Sequence, residues 1–421
     1  MKMQFQKLIY AISLLFTSLL IAHPLPNTVV NLNLQSNSTF MTIRIPLQDF
    51  EIAFKNKVTK NQNLLFTKYF LKHIKIKDSN YKTWQMEFVD YKIQPTEAAF
   101  VGKYDEIEFT LNFIPRKNTN ARDFTIYYDA ILHEITNHQA LLYVNSDWDN
   151  GIHQNSQQIG IIALDVPTNK IYPLHISLEK GSIWKGFKSM IALGIKHISD
   201  GTDHLMFILV LLLSAPLISS NNKWVKNQSI KATIIKIVKI ITAFTIGHSI
   251  TLIIGSLTTF NLNPKPIEIL IAFSILCTAL NAIKPIFNAK EVYIACGFGL
   301  IHGMAFATLL KELHLDTNKL VLSLLGFNIG IELMQLFVIV LVMPWIVILS
   351  TYKIYKYVRV TGALLASIAA LAWLCERCTN QSNNIAAFLQ NNLQNGLWFI
   401  FGLACFTIII TVTQKKDLAT K

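Results

Sequence analysis

His197-Ile-Ser-Asp-Gly-Thr-Asp-His204 sets two imidazoles and two carboxylates, Asp200 and Asp203, at the head of the apolar run Leu205–Leu213. Ionisable side chains at the centre of a bilayer cost about 3 kcal/mol each on insertion scales, so a cluster of them faces a protein interior and marks function. Comparable groups recur downstream. Thr242, Thr245, His248 and Thr251 repeat every three residues, and His302 stands between Gly299 and Gly303. Asn328, Glu332 and Gln335 share one helical stripe, while Glu268 precedes Ser274 and Asn281 in another apolar stretch. Any one of His204, His248, His302 and Glu332 is equally well a hydrogen-bonded structural residue; four together would each require an unrelated partner. Imidazole nitrogens with carboxylate oxygens suit divalent nickel, zinc, iron or copper, and a set without thiolates disfavours Cu(I). Cys277 and Cys296 lie in neighbouring apolar stretches, which leaves that last exclusion open.

Spacing limits how the first cluster can work. On a straight helix His197 and His204 stand about 10 Å apart along the axis. They share an ion only if the backbone bends at Asp200-Gly-Thr, the kind of break that discontinuous helices make at ion sites. Otherwise Asp200 and His204, four residues apart, form one site, or two sites lie in series.

The elements that must position these groups follow from composition. The chain has 421 residues, 52% hydrophobic and 15% charged, with a mean hydropathy of +0.38. That charge fraction, against about 25% in soluble domains, points to a polytopic membrane protein. The formal charge of +13 is not a nucleic-acid signal, because the lysines fall between apolar segments. Residues 1–22, with Lys2 and Lys7 before an apolar core and Ala22 at its end, resemble a secretory signal. Cleavage there would leave His23 as a new N-terminus, although His23 serves equally as the first residue of a strand.

Residues 23–180 are expected to form an extracytoplasmic, β-sandwich-like domain. Met41, Ile43, Ile45 and Leu47 alternate with polar residues, as do Ile107, Phe109, Leu111 and Phe113. A helix is expected over about Asn63–Lys72, with turns at Asp78-Ser-Asn, Lys117-Asn-Thr-Asn and Asp147-Trp-Asp-Asn-Gly151. His73, His133, His138, His153 and His175 are scattered through this half as solvated or packed residues. Residues 186–415 then predict an α-helical bundle of about seven transmembrane helices. The segments are 190–216, 234–259, 266–285, 292–311, 319–349, 357–375 and 394–413, the fifth tilting or ending near Pro344. Residues 416–421 would be a cytoplasmic tail. Lysines and arginines concentrate after segments one, three, five and seven, which places the C-terminus inside and the amino-terminal domain outside. Cys375 and Cys378, at the outer end of segment six, carry no assigned mechanism.

Four motifs resemble one family. His-x-x-x-Gly-x-Asp-His at 197–204, Phe244-Thr-x-Gly-His-Ser-x-Thr251, Gly299-Leu-Ile-His-Gly-Met-Ala305 and Phe327-Asn-x-Gly-x-Glu332 are similar to the HupE/UreJ family of hydrogenase and urease accessory membrane proteins. The longer branch of that family is similar across nearly the whole chain, including His23-Pro-Leu-Pro-Asn. By position the motif residues are His197, Gly201, Asp203 and His204; Ile198 stands where short hydrogenase-linked members have proline. The resemblance implies a permease for nickel or cobalt, with zinc as a further candidate, that supports metalloenzyme maturation in a bacterial inner membrane. Its periplasmic domain would capture the ion or meet a periplasmic metal donor or maturation factor. His197, Asp200, Asp203 and His204 would receive the ion, and His248, His302 and Glu332 would pass it inward. No P-loop motif is present, so transport would draw on membrane potential or proton exchange. Two other function classes stay open: an intramembrane zinc hydrolase with ligands around one point, and a membrane-anchored sensor or scaffold indifferent to its histidines.

Overall fold

The computed structural model describes residues 26–257, 263–287, 290–312, 315–392 and 396–419, apart from residues 36, 99–101, 117, 118 and 120. The signal-like stretch and His23 lie outside these residues. The chain divides into two compact units, residues 1–182 and 183–421.

The first unit holds strands β1 (Thr28–Leu34), β2 (Thr39–Pro46), β3 (Ile74–Asp78), β4 (Gln85–Ala98), β5 (Gly102–Ile114), β6 (Asp123–Tyr128), β7 (Gln139–Asp147), β8 (Ile152–Asp165), β9 (Lys170–Ile171) and β10 (Leu174–Ser177). Helices α1 (Leu47–Phe54) and α2 (Asn63–His73) join them. A seven-stranded sheet runs β4-β5-β2-β1-β7-β8-β9, and a three-stranded sheet runs β10-β6-β3. The two alternating stretches read from sequence meet directly: Met41 opposes Leu111, Ile43 opposes Phe109 and Ile45 opposes Ile107. Because side chains alternate across a strand, this register turns both apolar sets to one face. Leu47 departs from the expected alternation, because β2 ends at Pro46 and Leu47 opens α1. The helices bring Phe50, Phe66 and Phe70 against Phe109 in the shared core.

The histidines of this unit have protein partners. His138 Nε2 lies 2.7 Å from Thr28 Oγ1 and its Nδ1 3.4 Å from Asp49. The His73 and His133 rings stack 4.0 Å apart and bond the side chain and carbonyl of Asp129. At the 147–151 turn, Arg122 pairs with Asp147 and donates to the Glu179 carbonyl at 2.7 Å.

The second unit is helical: α3 (Ile183–Asp200), α4 (Thr202–Ser214), α5 (Ile230–Leu257), α6 (Pro264–Ile283), α7 (Glu291–Glu312), α8 (Thr317–Ser350), α9 (Tyr355–Thr379), α10 (Asn384–Asn392) and α11 (Gly396–Ala419). Four of these, α5, α6, α8 and α9, are long and apolar enough to cross a membrane; the apolar stretches of α4, α7 and α11 are shorter. The expected first span, 190–216, is not one helix but two, parted at Gly201. A hairpin of β11 (Leu217–Ser220) and β12 (Lys223–Asn227), absent from the sequence reading, follows α4. The fifth segment does not stop at Pro344, and α8 runs through it. Outward side chains such as Val340, Leu365, Phe401 and Ile409 are more than half exposed, as lipid-facing positions require.

Two helix pairs touch backbone to backbone. A Cβ on Gly247 of α5 would overlap the Cys296 carbonyl of α7, and one on Gly299 or Gly303 would overlap the Phe244 or His248 carbonyl. Gly194 of α3 and Gly330 of α8 stand in the same relation to the Phe327 and Ile191 carbonyls. Small residues allow this approach, and packing at that distance drives helix association in lipid.

Gly247→Ala should therefore lower the thermal midpoint of the detergent-solubilised protein, with a loss of about 1–3 kcal/mol. Gly297→Ala, on the same pair of helices but with nothing within 4 Å of its Cβ, should leave stability unchanged or raise it by up to about 1 kcal/mol. In the first unit, burial pulls the His153 imidazole down to about 4 against the opposing charge of Asp147. The folded unit thus favours the neutral ring, and an unfolded imidazole takes up its proton near 6.5. Stability present above pH 6.5 should be lost as the pH falls towards 4, and His153→Gln should flatten that dependence in Trp fluorescence melts.

Candidate functional site

The break at Gly201 builds the site. Gly201 is extended at φ −75°, ψ 92°, and α4 restarts at Thr202. A Cβ here would lie 2.7 Å from His204 Nδ1 and 2.8 Å from the His197 carbonyl, so only glycine leaves room for the His204 ring. The bend brings the His197 and His204 ring centroids to 4.7 Å, where a straight helix would hold them about 10 Å apart.

Asp203 orients His204. Its Oδ1 accepts from the His204 backbone amide at 2.9 Å and lies 2.9 Å from the ring Nδ1. This is the carboxylate–histidine arrangement that fixes a tautomer and turns Nε2 outward as a ligand. On the far side, His204 Nε2 is 3.3 Å from His302 Nδ1. The Ser274 hydroxyl donates to the Ile271 carbonyl at 2.7 Å, so towards His302 Nε2, 3.1 Å away, it presents its oxygen. That oxygen calls for a proton on His302 Nε2 and leaves a lone pair on Nδ1. With Asp203 drawing the His204 proton to Nδ1, two imidazole lone pairs confront each other. With the protons so placed, a proton or a cation between them relieves the repulsion. Two nitrogens on one tetrahedral zinc-like ion, with bonds of about 2.0–2.1 Å, stand about 3.3 Å apart.

His248 completes the group. It is 0% exposed, and neither ring nitrogen meets hydrogen-bond geometry with a described neighbour, although Asn328 lies close enough to interact with it. A buried polar group without a hydrogen bond is costly, and the cost is removed if the group is a ligand. His197, His204 and His248 each offer an atom within 4.8 Å of the other two. Phe327, 5.4 Å from the His197 ring, and Phe244, 5.1 Å from that of His302, wall the cluster with aromatic surface.

The remaining sequence-derived candidates fall outside this cluster. Glu332 Oε1 accepts from Thr242 at 3.0 Å, and Gln335 Oε1 accepts from Thr245 at 3.2 Å. They form a second polar step between α5 and α8, on the Thr242 side of His248. Asp200 points away, 62% exposed and bonded to Lys196 at 3.2 Å. Asp203, not Asp200, is therefore the carboxylate on His204. Thr251 bonds back to its own helix at the Gly247 and His248 carbonyls, and Asn328 Nδ2 does the same at Leu324. Glu268 stands at the end of α6 nearest Asp203, beside Arg377 of α9. Arg377 and Ser274 were not singled out from sequence as partners of the histidines. Arg377 looked like a loop charge, and one hydroxyl in an apolar helix carries no signal of what it faces. All five cysteines are free and none enters the group of three.

Gly201→Ala should turn the His204 ring off Asp203 at a cost of about 1–3 kcal/mol. In protein labelled with 15N-histidine, the signal of the Nδ1-protonated ring should shift or vanish for His204 alone; an unchanged spectrum would contradict the packing described above.

No curated protein and no solved structure matches the chain at a significant level. A family model described as HupE / UreJ protein matches residues 175–377, a stretch that contains all four motifs and the whole histidine cluster. Over this region, just under half of the chain, the sequence is similar to the HupE/UreJ family.

Proposed function

We propose that the protein is a membrane permease for a divalent transition metal, nickel or cobalt first and zinc next, supporting metalloenzyme maturation. The observation that carries this reading is the convergence of His197, His204 and His248 within 4.8 Å, with His302 at 3.3 Å from His204. Four imidazoles in a space walled by phenylalanine favour an ion of borderline softness. Similarity to the family supports metal handling. Three shorter apolar helices, α4, α7 and α11, would join the four long ones in a seven-span bundle, with α3 leading into the broken first span. Charge between the spans supports a cytoplasmic C-terminus and a periplasmic first unit, in a bacterial inner membrane. That first unit would meet the ion or a periplasmic donor before the membrane half does.

The polar groups form steps and not one closed shell. Asp203, with His204 and His302, comes first. His197 and His248 follow, and then the pairs Gln335–Thr245 and Glu332–Thr242. A series of sites, each weak enough to release, is what conduction demands. Glu332 can exchange a proton for the passing charge, which would couple uptake to the proton gradient. A zinc hydrolase would need a carboxylate base beside an open metal position, whereas the carboxylate next to this group, Asp203, is engaged by His204 and faces Arg377.

Loss of an outer-shell partner costs a metal site about 10–100-fold in affinity. His248→Ala should weaken Ni(II) binding to the purified protein by at least that factor. Glu332→Gln should leave binding near wild type while slowing Ni(II) uptake into proteoliposomes. Equal uptake by wild type and both variants would overturn the transport mechanism.

A further inference from the structure

We propose that Arg377 sets the charge selectivity of this site, acting as a tethered monovalent cation that an incoming ion must displace from Asp203. The proposal rests on the metal reading above and adds how the site refuses other ions.

The geometry comes from three helix ends. Arg377 closes the last turns of α9, Glu268 lies in the second turn of α6, and Asp203 in the first turn of α4. Arg377 Nη1 donates to the Glu268 carbonyl at 2.9 Å. Its Nε lies 3.7 Å from Glu268 Oε2, and its Nη2 lies 4.0 Å from Asp203 Oδ2. One firm bond, to a neutral carbonyl, thus anchors the guanidinium, while both carboxylates are held at charge-pairing distance, beyond hydrogen-bond length. The side chain is about one-fifth exposed, as is that of Asp203, so water and ions reach the pair.

This arrangement divides the work of Asp203. Oδ1 is committed to His204, and Oδ2 faces Arg377. Arginine is charged at every working pH and carries exactly one unit. A monovalent ion arriving at Oδ2 offers the carboxylate no more charge than the guanidinium already does. A divalent ion offers twice as much, and can also take imidazole nitrogens that sodium and potassium bind poorly. Displacement need not break the anchor, because the Glu268 carbonyl can keep the guanidinium while Asp203 turns to the metal. Glu268 then serves as the resting place of the displaced charge.

The test is Ni(II) affinity of the full-length protein in detergent, by isothermal titration calorimetry, with ionic strength held constant using choline, sodium or potassium chloride. Arg377→Gln should tighten Ni(II) binding by about tenfold, within the usual range of coupling between sites, and should make it sensitive to sodium and potassium relative to choline. Arg377→Lys should retain the wild-type indifference to sodium. Glu268→Gln, which keeps the backbone anchor but leaves Asp203 as the carboxylate facing the guanidinium, should weaken Ni(II) binding. Misfolding cannot produce the tighter binding expected of Arg377→Gln. If wild type binds Ni(II) and His248→Ala does not, yet Arg377→Gln matches wild type in affinity and salt response, this proposal falls alone. If wild type does not bind Ni(II) or Co(II), the metal reading falls and this one with it.

Discussion

Backbone contact between α5 and α7, and between α3 and α8, is what the membrane half of this protein depends on. A buried imidazole away from water is tolerable only with partners in reach, and imidazoles on four helices reach one another only if those helices lie very close. Gly247, Gly299 and Gly303 bring α7 against the stretch of α5 that carries His248. Gly194 and Gly330 do the same for α3, with His197, and α8, with Phe327 and Asn328. Gly247, Gly299 and Gly303 are therefore as necessary as the histidines beside them, although their contacts are chiefly with backbone.

The break at Gly201 is the second requirement. It keeps the Gly201 amide on the His197 carbonyl at 3.1 Å, gives the His204 amide to the Asp203 carboxylate, folds His197 back towards His204, and starts α4 with Asp203 in its first turn. There the carboxylate is favoured by the positive end of the helix dipole, and it in turn orients the ring beside it. Other ends in this unit are secured more conventionally. Arg359 donates to the Ala282 and Ile283 carbonyls at the end of α6, and Tyr355 donates to the Leu213 carbonyl at 2.6 Å near the end of α4. With both ends of α4 held, its short length still fixes the position of His204.

The two units illustrate two ways in which histidine is accommodated. In the first, the imidazoles of His73, His133, His138 and His175 pair with an acid, a hydroxyl or a carbonyl, as with His138 between Thr28 and Asp49. In the second, His302 and His204 face each other through nitrogens, and the His248 ring has Asn328 within reach but neither nitrogen in good hydrogen-bond geometry. The first pattern is sufficient for structure. The second pattern is what a cation between the rings would satisfy.

Much of this was legible in the sequence, because the signals were local. Alternation over 41–45 and 107–113 marked the paired faces of β2 and β5; the apolar stretches located α5 to α9 to within a few residues; and the glycines on both sides of His302 allowed a close neighbour. Even the bend at Asp200-Gly-Thr could be posed as a condition, since two histidines seven residues apart cannot otherwise meet. What the sequence could not decide was which groups face each other across helices. By spacing Asp200, four residues before His204, is the expected partner; the break before α4 instead turns Asp203 to His204 and leaves Asp200 to Lys196. Glu332 shares a stripe with Asn328, yet it bonds Thr242 and stays out of the histidine group. Arg377 lies 174 positions from Asp203 along the chain, and no periodicity links them. Sequence by itself determined the membrane half, its histidines and the glycines that allow contact, because residue type and period act within one helix. The tertiary structure alone decided which histidines converge and which charge stands beside Asp203, because those contacts depend on how separate helices are rotated and packed.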